Sequence, residues 1–381
     1  MIRWQFKLYM IAVLILGGGP ACAEITRAPL PVLKSNYTVE TVAKGLSNPW
    51  GLQFLPGGRM IVTERSGQIR IVDSAGAVSS PVRGVPDVAA TGQGGLLDIV
   101  LDPNFVTNNL VYLSYAEPRG GSRNGTSVAR GALIIDSIGA RLEQVQVIFR
   151  QQPATTGGLH FGSRLAFADD GTLFVTLGER YQRDFAQDTT RHWGKVVRIN
   201  SDGSIPGDNP NFGANAAPGL WSIGHRNPQS AGIHPTSRKL WVVEHGPQGG
   251  DEINIPKSGG NYGWPLIGYG IDYSGATIHS STQRAGLEQP IYYWNPSIAP
   301  SGMAFYTGDK FPNWKGNLFV GALAGQHLAR LVLDGETVVA EERLLANLDH
   351  RIRDVRQGLD GYLYILTDSE RGEILRLIPA N

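Results

Sequence analysis

Cysteine is almost missing from this chain. Among 381 residues there is one, Cys22, and it falls in the apolar N-terminal stretch. Without a second thiol no disulfide forms, so an exported protein of this kind must hold together by core packing or bound metal. Charge of one sign is lacking too. Lys and Arg number 34 against 33 Asp and Glu, a net charge of +1, which leaves no electrostatic footprint for nucleic acid. Long apolar runs are absent, since the stretch at residues 8–16 is too short to span a bilayer. After it, no segment sustains a helical period, which argues against a helical bundle.

That short run has another reading. Arg3 and Lys7 precede it and Ala21-Cys22-Ala23 follows it, the pattern of a secretory signal cleaved after Ala23. The expectation is a leader at 1–23 and a mature chain at 24–381, periplasmic or secreted, with net charge −1 once Arg3 and Lys7 are gone. Lipid attachment at Cys22 is the second reading, ranked lower because Gly19 stands where a larger apolar residue belongs.

What the chain has in quantity is glycine, 49 residues, and proline, 23, which suits many strands joined by tight turns. A pattern of short apolar strand, turn and second strand recurs from Arg59, Leu110, Thr172, Lys239, Asn317 and Tyr362. Each copy is preceded by another short strand, in GLQFLP, DIVLDP, RLAFADD, AGIHP, GMAFYTG and DVRQGLDG. Units recurring every roughly 45–70 residues mark a repeat architecture. Six small sheets bury one another best as an all-β, six-bladed β-propeller. The stretch YTVETV from Tyr37 is placed to complete the last blade and close the ring; a β-sandwich pair fits the sixfold recurrence less well.

Fold alone assigns no activity, so the loops must be read. HGPQGGDEINIPKSGGNYGWP, residues 245–265, gathers six glycines, three prolines and the acid pair Asp251-Glu252 into 21 residues. It lacks the D-x-[DN]-x-[DN]-G spacing of an EF-hand but offers the oxygen donors that calcium takes. His160 lies between glycines just before a strand, and Glu179 ends a strand 19 residues on. If those strands pair, the carboxylate fixes the imidazole tautomer and leaves the other nitrogen as a base. Arg226 and Asn227 share a loop, and Arg351 and Arg353 stand two apart, an arrangement that favours an anionic ligand over ordinary salt bridges only if the groups converge. Gln93 is a polar amide between glycines.

Taken together in order, NPWGLQFLPGGRMIVTERSGQIRI, GQGGLLDIVLDPNF, HFGSRLAFADDGTLFVTLGE, GHRNPQ, EHGPQGGDEINIPKSGGNYGWP and RIRDV resemble the soluble glucose/sorbosone dehydrogenase family, whose members use pyrroloquinoline quinone (PQQ). The resemblance covers nearly the whole mature chain and implies a six-bladed propeller with its cofactor at the central axis. It implies that His160 is the general base, supported by Glu179. Gln93, Arg226, Asn227, Arg351 and Arg353 match cofactor contacts. Gly246 and Pro247 match carbonyls that hold a quinone-bound calcium, and Glu252 with Tyr262 matches a further calcium site, the acid pair serving a structural ion. The implied reaction is oxidation of aldose sugars at C1 to lactones, with electrons passed to an external acceptor by a monomer or homodimer. One departure stands out: Ala324 occupies the place where some relatives carry a lysine over the cofactor. Two other functions fit a propeller with axial calcium or none, a calcium-dependent lactonase and a non-catalytic binding domain. The first leaves the arginines unexplained and the second leaves His160 and Glu179 unexplained.

Overall fold

The computed structural model describes residues 34–380, so the leader expected at 1–23 and Cys22 lie outside the described residues. Six antiparallel sheets stand around one axis. Their innermost strands, Pro49–Phe54, Leu96–Leu101, Gly162–Phe167, Pro228–Ile233, Pro300–Phe305 and Ile352–Gln357, each touch the innermost strands of both neighbouring blades, which closes the ring. These are the six short segments that precede each repeat in the sequence. The N-terminal strand Tyr37–Leu46 pairs antiparallel with Gly372–Pro379, Val39 opposite Leu377, and so completes the sixth blade with the other end of the chain. Among the described residues helix is confined to the turn Phe105–Asn108 and two 3₁₀ turns.

The core is divided among the interfaces between blades. Leu55, Ile61 and Ile69 of the first blade pack with Leu113 and Ala129 of the second. Tyr112 and Val128 pack with Leu165 and Val197 across the next interface, and Tyr306, Phe319, Ile352 and Ile365 join the fifth blade to the sixth. Alternation along a strand sends one set of side chains to each neighbour, so every blade is buried on both faces. This spread of apolar contact replaces the missing disulfides.

Down the axis the inner strands carry charge. Arg164 is fully buried and donates from Nη1 to Asp98 at 3.0 Å and Asp354 at 3.1 Å. Asp354 also accepts from the backbone of Leu52 and from Arg356. Burial drives the Asp98 carboxyl upward, and the guanidiniums of Arg164 and Arg356 oppose it. Buried ion pairs of this kind fix geometry more than they add stability. Here they pin blades one, two, three and six to a common register directly beneath Trp50, on which Arg164 stacks at 4.2 Å. That indole lines the cavity above.

Candidate active site

The third blade carries the imidazole. Its inner strand is preceded by GGLHFG, and His160 sits there in a left-handed conformation, φ +51°. Gln93 receives its backbone N–H at 2.8 Å. Glu179 follows the next strand across a tight approach, where a Cβ on Gly178 would lie 2.1 Å from the His160 carbonyl. Only glycine fits, and the closeness brings the two side chains together: Nδ1 of His160 lies 2.9 Å from Oε2 of Glu179. Both are buried. The Glu179 backbone N–H also donates to the Arg226 carbonyl at 2.9 Å, which links the pair to the fourth blade. Burial holds the imidazole below its ordinary range; the Glu179 hydrogen bond and charge push the other way, and Arg226 and Arg180 add to the lowering. Nε2 makes no hydrogen bond among the described residues, which leaves one basic nitrogen facing away from the carboxylate.

Beside this pair lies an axial cavity of about 260 Å³ bounded by Trp50, Gln93, Phe161, His245, Arg351 and Arg353. Arg353 is buried and reaches Asp368 at 3.2 Å and Gln229 at 3.4 Å, but its Nε has no acceptor. Arg351 is about half exposed and pairs with the same Asp368 oxygen at 2.9 Å. Arg351 stands just before the strand rather than within it, and the two guanidiniums share Asp368. Buried Asn227 accepts from the Gly162 N–H, yet its Nδ2 is unpartnered. Several fixed donors therefore converge with one carboxylate between them, and two buried polar nitrogens lack acceptors. Such a set fits a planar ligand with several carboxylates. Leu323, rather than Ala324, lines the cavity, and no lysine is among its walls.

The residue 245–265 stretch is a loop, a strand and a second loop, since Asp251–Asn254 is the third strand of the fourth blade. Gly246 has no room for a side chain, as a Cβ would fall 2.3 Å from the carbonyls of Gly249 and Gly250. Its own carbonyl accepts from Arg226 Nη1 at 2.5 Å, so it already serves a cation and keeps a second lone pair. Pro247 borders an adjoining cavity of about 220 Å³ with Glu179, Tyr181, Arg183 and Asp272. The acid pair divides. Asp251 is saturated by the Gly246, Ile298 and Ala299 N–H groups and the Ser297 hydroxyl, so it organises loops rather than waiting for an ion. Burial raises it to about 6. Glu252 accepts one bond, from Asn254 at 3.1 Å. Burial, with repulsion from Glu244, raises Glu252 to about 8, and the Asn254 Oδ1 beside it has no donor. That oxygen set fits a hard cation. The Tyr262 hydroxyl donates to the Ile255 carbonyl and accepts from Lys257, and its ring stacks on His225, so the phenol is already committed. Among the described residues no group of three or more His, Cys, Asp or Glu is placed to hold a metal by side chains alone.

The structure also brings in residues the sequence did not single out: Asp368, His245, Trp50 and Arg180. A repeat signal could have found Asp368. Glu64, Glu117, Glu179, Glu244 and Asp368 all stand near the end of the second strand of their blades. His245 is partly buried between Arg226 and Arg353, makes no bond to an acid, and rests on the Pro300 carbonyl at 2.7 Å; desolvation, with the charge of Arg226 beside it, pushes it down to about 3, so it is a neutral wall. Trp50 and Arg180 carried no such signal.

Compared with known proteins, the chain matches a family model described as Glucose / Sorbosone dehydrogenase over residues 46–376. It is 46% identical over 353 residues to the aldose sugar dehydrogenase YliI of Escherichia coli (strain K12), covering 91% of this chain and 94% of that protein. It superposes on a crystal structure of glucose dehydrogenase with a TM-score of 0.87 at 49% identity, covering 90% of this chain and 100% of the other. It also superposes on the PQQ-bound form of an aldose sugar dehydrogenase from Streptomyces coelicolor, with a TM-score of 0.74, 28% identity, and coverages of 90% and 99%.

Proposed function

The chain belongs to the glucose/sorbosone dehydrogenase family and is a sugar dehydrogenase, and from that premise we propose that it oxidises aldoses at C1 to lactones with PQQ and calcium. The observation that carries this reading is the His160–Glu179 contact at 2.9 Å beside a cavity rich in guanidinium groups. Bound quinone, with calcium, would supply a two-electron acceptor for the hydride leaving C1. The chain's own part is orientation and proton transfer. Glu179 holds the Nδ1 proton, and Nε2 of His160 takes the proton of the C1 hydroxyl. Arg226, Arg351 and Arg353, with Gln93 and Asn227, would hold the cofactor's carboxylates and carbonyls. Gly246 and Pro247 carbonyls would hold the cation beside it.

The leader pattern at residues 1–23 supports a periplasmic or secreted location, with an external acceptor taking the electrons. No helix among the described residues is long and apolar enough to cross a membrane. The test is to add calcium and PQQ to purified apoprotein and record the quinone spectrum with and without glucose or another aldose. Sugar-dependent bleaching of the oxidised form is expected. Quinone-independent lactone hydrolysis would move the assignment to a hydrolase, and neither activity would leave a binding propeller.

A second expectation concerns Glu252. Its carboxyl is raised to about 8, so in the metal-free fold it keeps its proton, and the group's contribution to stability falls as pH climbs from the ordinary glutamate range through about 8. A cation that displaces that proton removes the penalty. Calcium is therefore expected to raise the apoprotein Tm more at pH 8 than at pH 6, and Glu252→Gln is expected to abolish the difference. Equal shifts at both pH values, measured by scanning calorimetry, would remove Glu252 from the cation site.

A further inference from the structure

Arg180 has no role in the reading above, and its surroundings are unusual. It is 4% exposed, yet no carboxylate lies within ion-pair distance among the described residues. Burial pushes its guanidinium down to about 10, opposed only by the charge of Glu179. Arg180 and Tyr181 are consecutive non-glycine residues in the left-handed region, both with φ +59°. A desolvated cation on strained backbone persists where neighbouring structure enforces it, and such sites concentrate around function.

Its bonds converge on one short segment. Nε donates to the Leu159 carbonyl at 2.9 Å, and Nη2 donates to the Gly157 carbonyl and to Asn124 Oδ1, both at 2.8 Å. Asn124 Nδ2 meets the same Gly157 carbonyl at 3.1 Å. The backbone N–H of Arg180 donates to the His160 carbonyl at 3.3 Å. The guanidinium lies flat on Phe161 at 3.8 Å. The segment so held runs between flexible glycines, Gly157 at φ +95° and Gly162 at φ +66°. Gln93 holds its middle, accepting the His160 N–H at 2.8 Å and donating its own backbone N–H to the Gly158 carbonyl at 2.7 Å, and the Arg180 fork holds the carbonyls of Gly157 and Leu159 on either side.

We infer that Arg180 is a positioning residue whose planar fork clamps residues 157–160 and thereby holds His160 against Glu179. Its relevance to turnover rests on the dehydrogenase reading; the clamp itself does not. A lysine keeps the charge but lacks the planar fork, whose separate nitrogens Nε and Nη2 serve Leu159 on one side and Gly157 with Asn124 on the other.

The experiment uses full-length mature protein with Arg180→Ala and Arg180→Lys. Hydrogen exchange of a peptide covering residues 157–161 needs no cofactor, and both variants are expected to exchange faster there than wild type, with other blades unchanged. In the PQQ- and calcium-loaded enzyme, kcat is expected to fall about 10–10²-fold, the scale of a misplaced catalytic group. KM for the aldose and quinone affinity should hold, and methylguanidinium should restore part of the turnover of Arg180→Ala. Unchanged exchange in both variants, or kcat within about twofold of wild type, overturns the inference. If wild type itself oxidised no sugar, the dehydrogenase reading would fall, while the exchange result would still decide for or against the clamp.

Discussion

Replacing His160 by glutamine is expected to lower kcat for aldose oxidation by about 10²–10⁴-fold, the usual contribution of a positioned base, while quinone binding is unchanged. Glutamine fills similar space and keeps an amide that can face Glu179, but it offers no basic nitrogen. The geometry makes the loss specific. With Nδ1 tied to the carboxylate at 2.9 Å, the remaining lone pair of the neutral ring is on Nε2, and nothing else in the adjoining cavity duplicates it. Tyr181 meets the ring edge-on at 5.3 Å, and His245 rests on a backbone carbonyl. The pH dependence follows in sign from the same surroundings. Burial, chiefly, holds His160 below its ordinary value, against the pull of Glu179. The ring is therefore neutral at pH 7, and activity is lost only as pH falls through a midpoint below the free imidazole value of about 6.5. The measurement is kcat/KM against pH for wild type, with single-turnover quinone reduction for the variant. A variant reducing quinone at the wild-type rate, or an acid limb centred well above 6.5, would take the base role from His160.

Much of this was legible because repetition amplifies weak signals. No single strand such as GLQFLP is decisive, but six in register with their partners define the ring, and all six prove to be the axial strands. The closing strand from Tyr37 was legible for the same reason, as a spare strand facing an incomplete blade. The outer strands Leu220–Ile223 and Tyr292–Trp294 were not, since three or four residues are too few to show alternation. At the site, His160 and Glu179 could be paired because their strands are sequence neighbours. Partners brought in from other blades were hidden. Arg180 reaches Asn124 of the second blade from 56 residues away, whereas Asp368 meets Arg351 and Arg353 across a hairpin of their own blade, within reach of the same repeat reasoning. The acid pair Asp251-Glu252 shows the converse error of reading composition as shared purpose: Asp251 points inward to four donors of the chain, while Glu252, on the opposite face of the same strand, keeps lone pairs to offer.

Of the two neighbouring arginines, Arg353 and not Arg351 is expected to dominate cofactor affinity. Arg351 is nearly half exposed and its pair with Asp368 is open to water, where such contacts are worth about 0.2–1 kcal/mol. Its replacement by methionine should weaken quinone binding less than about tenfold. Arg353 is buried, stacks 5.8 Å from Trp50 and holds an unpartnered Nε in the cavity wall. Burial works to raise the Asp368 carboxyl, but the charges of Arg353 and Arg351 outweigh it and keep it below its ordinary value. Taking Arg353 away therefore does two things at once. It removes a desolvated donor for an anionic ligand, and it leaves Asp368 half-compensated where that ligand's negative charge would sit. Truncating one member of a buried charge pair costs about 2–5 kcal/mol, so Arg353→Met is expected to raise the quinone Kd by roughly 30–5,000-fold, with Arg353→Lys falling between it and wild type. Spectroscopic titration of the apoproteins with PQQ and calcium separates the cases. Equal losses for the two methionine variants would mean that burial does not govern the contact, and an unchanged Kd for Arg353→Met would place the cofactor's carboxylates elsewhere.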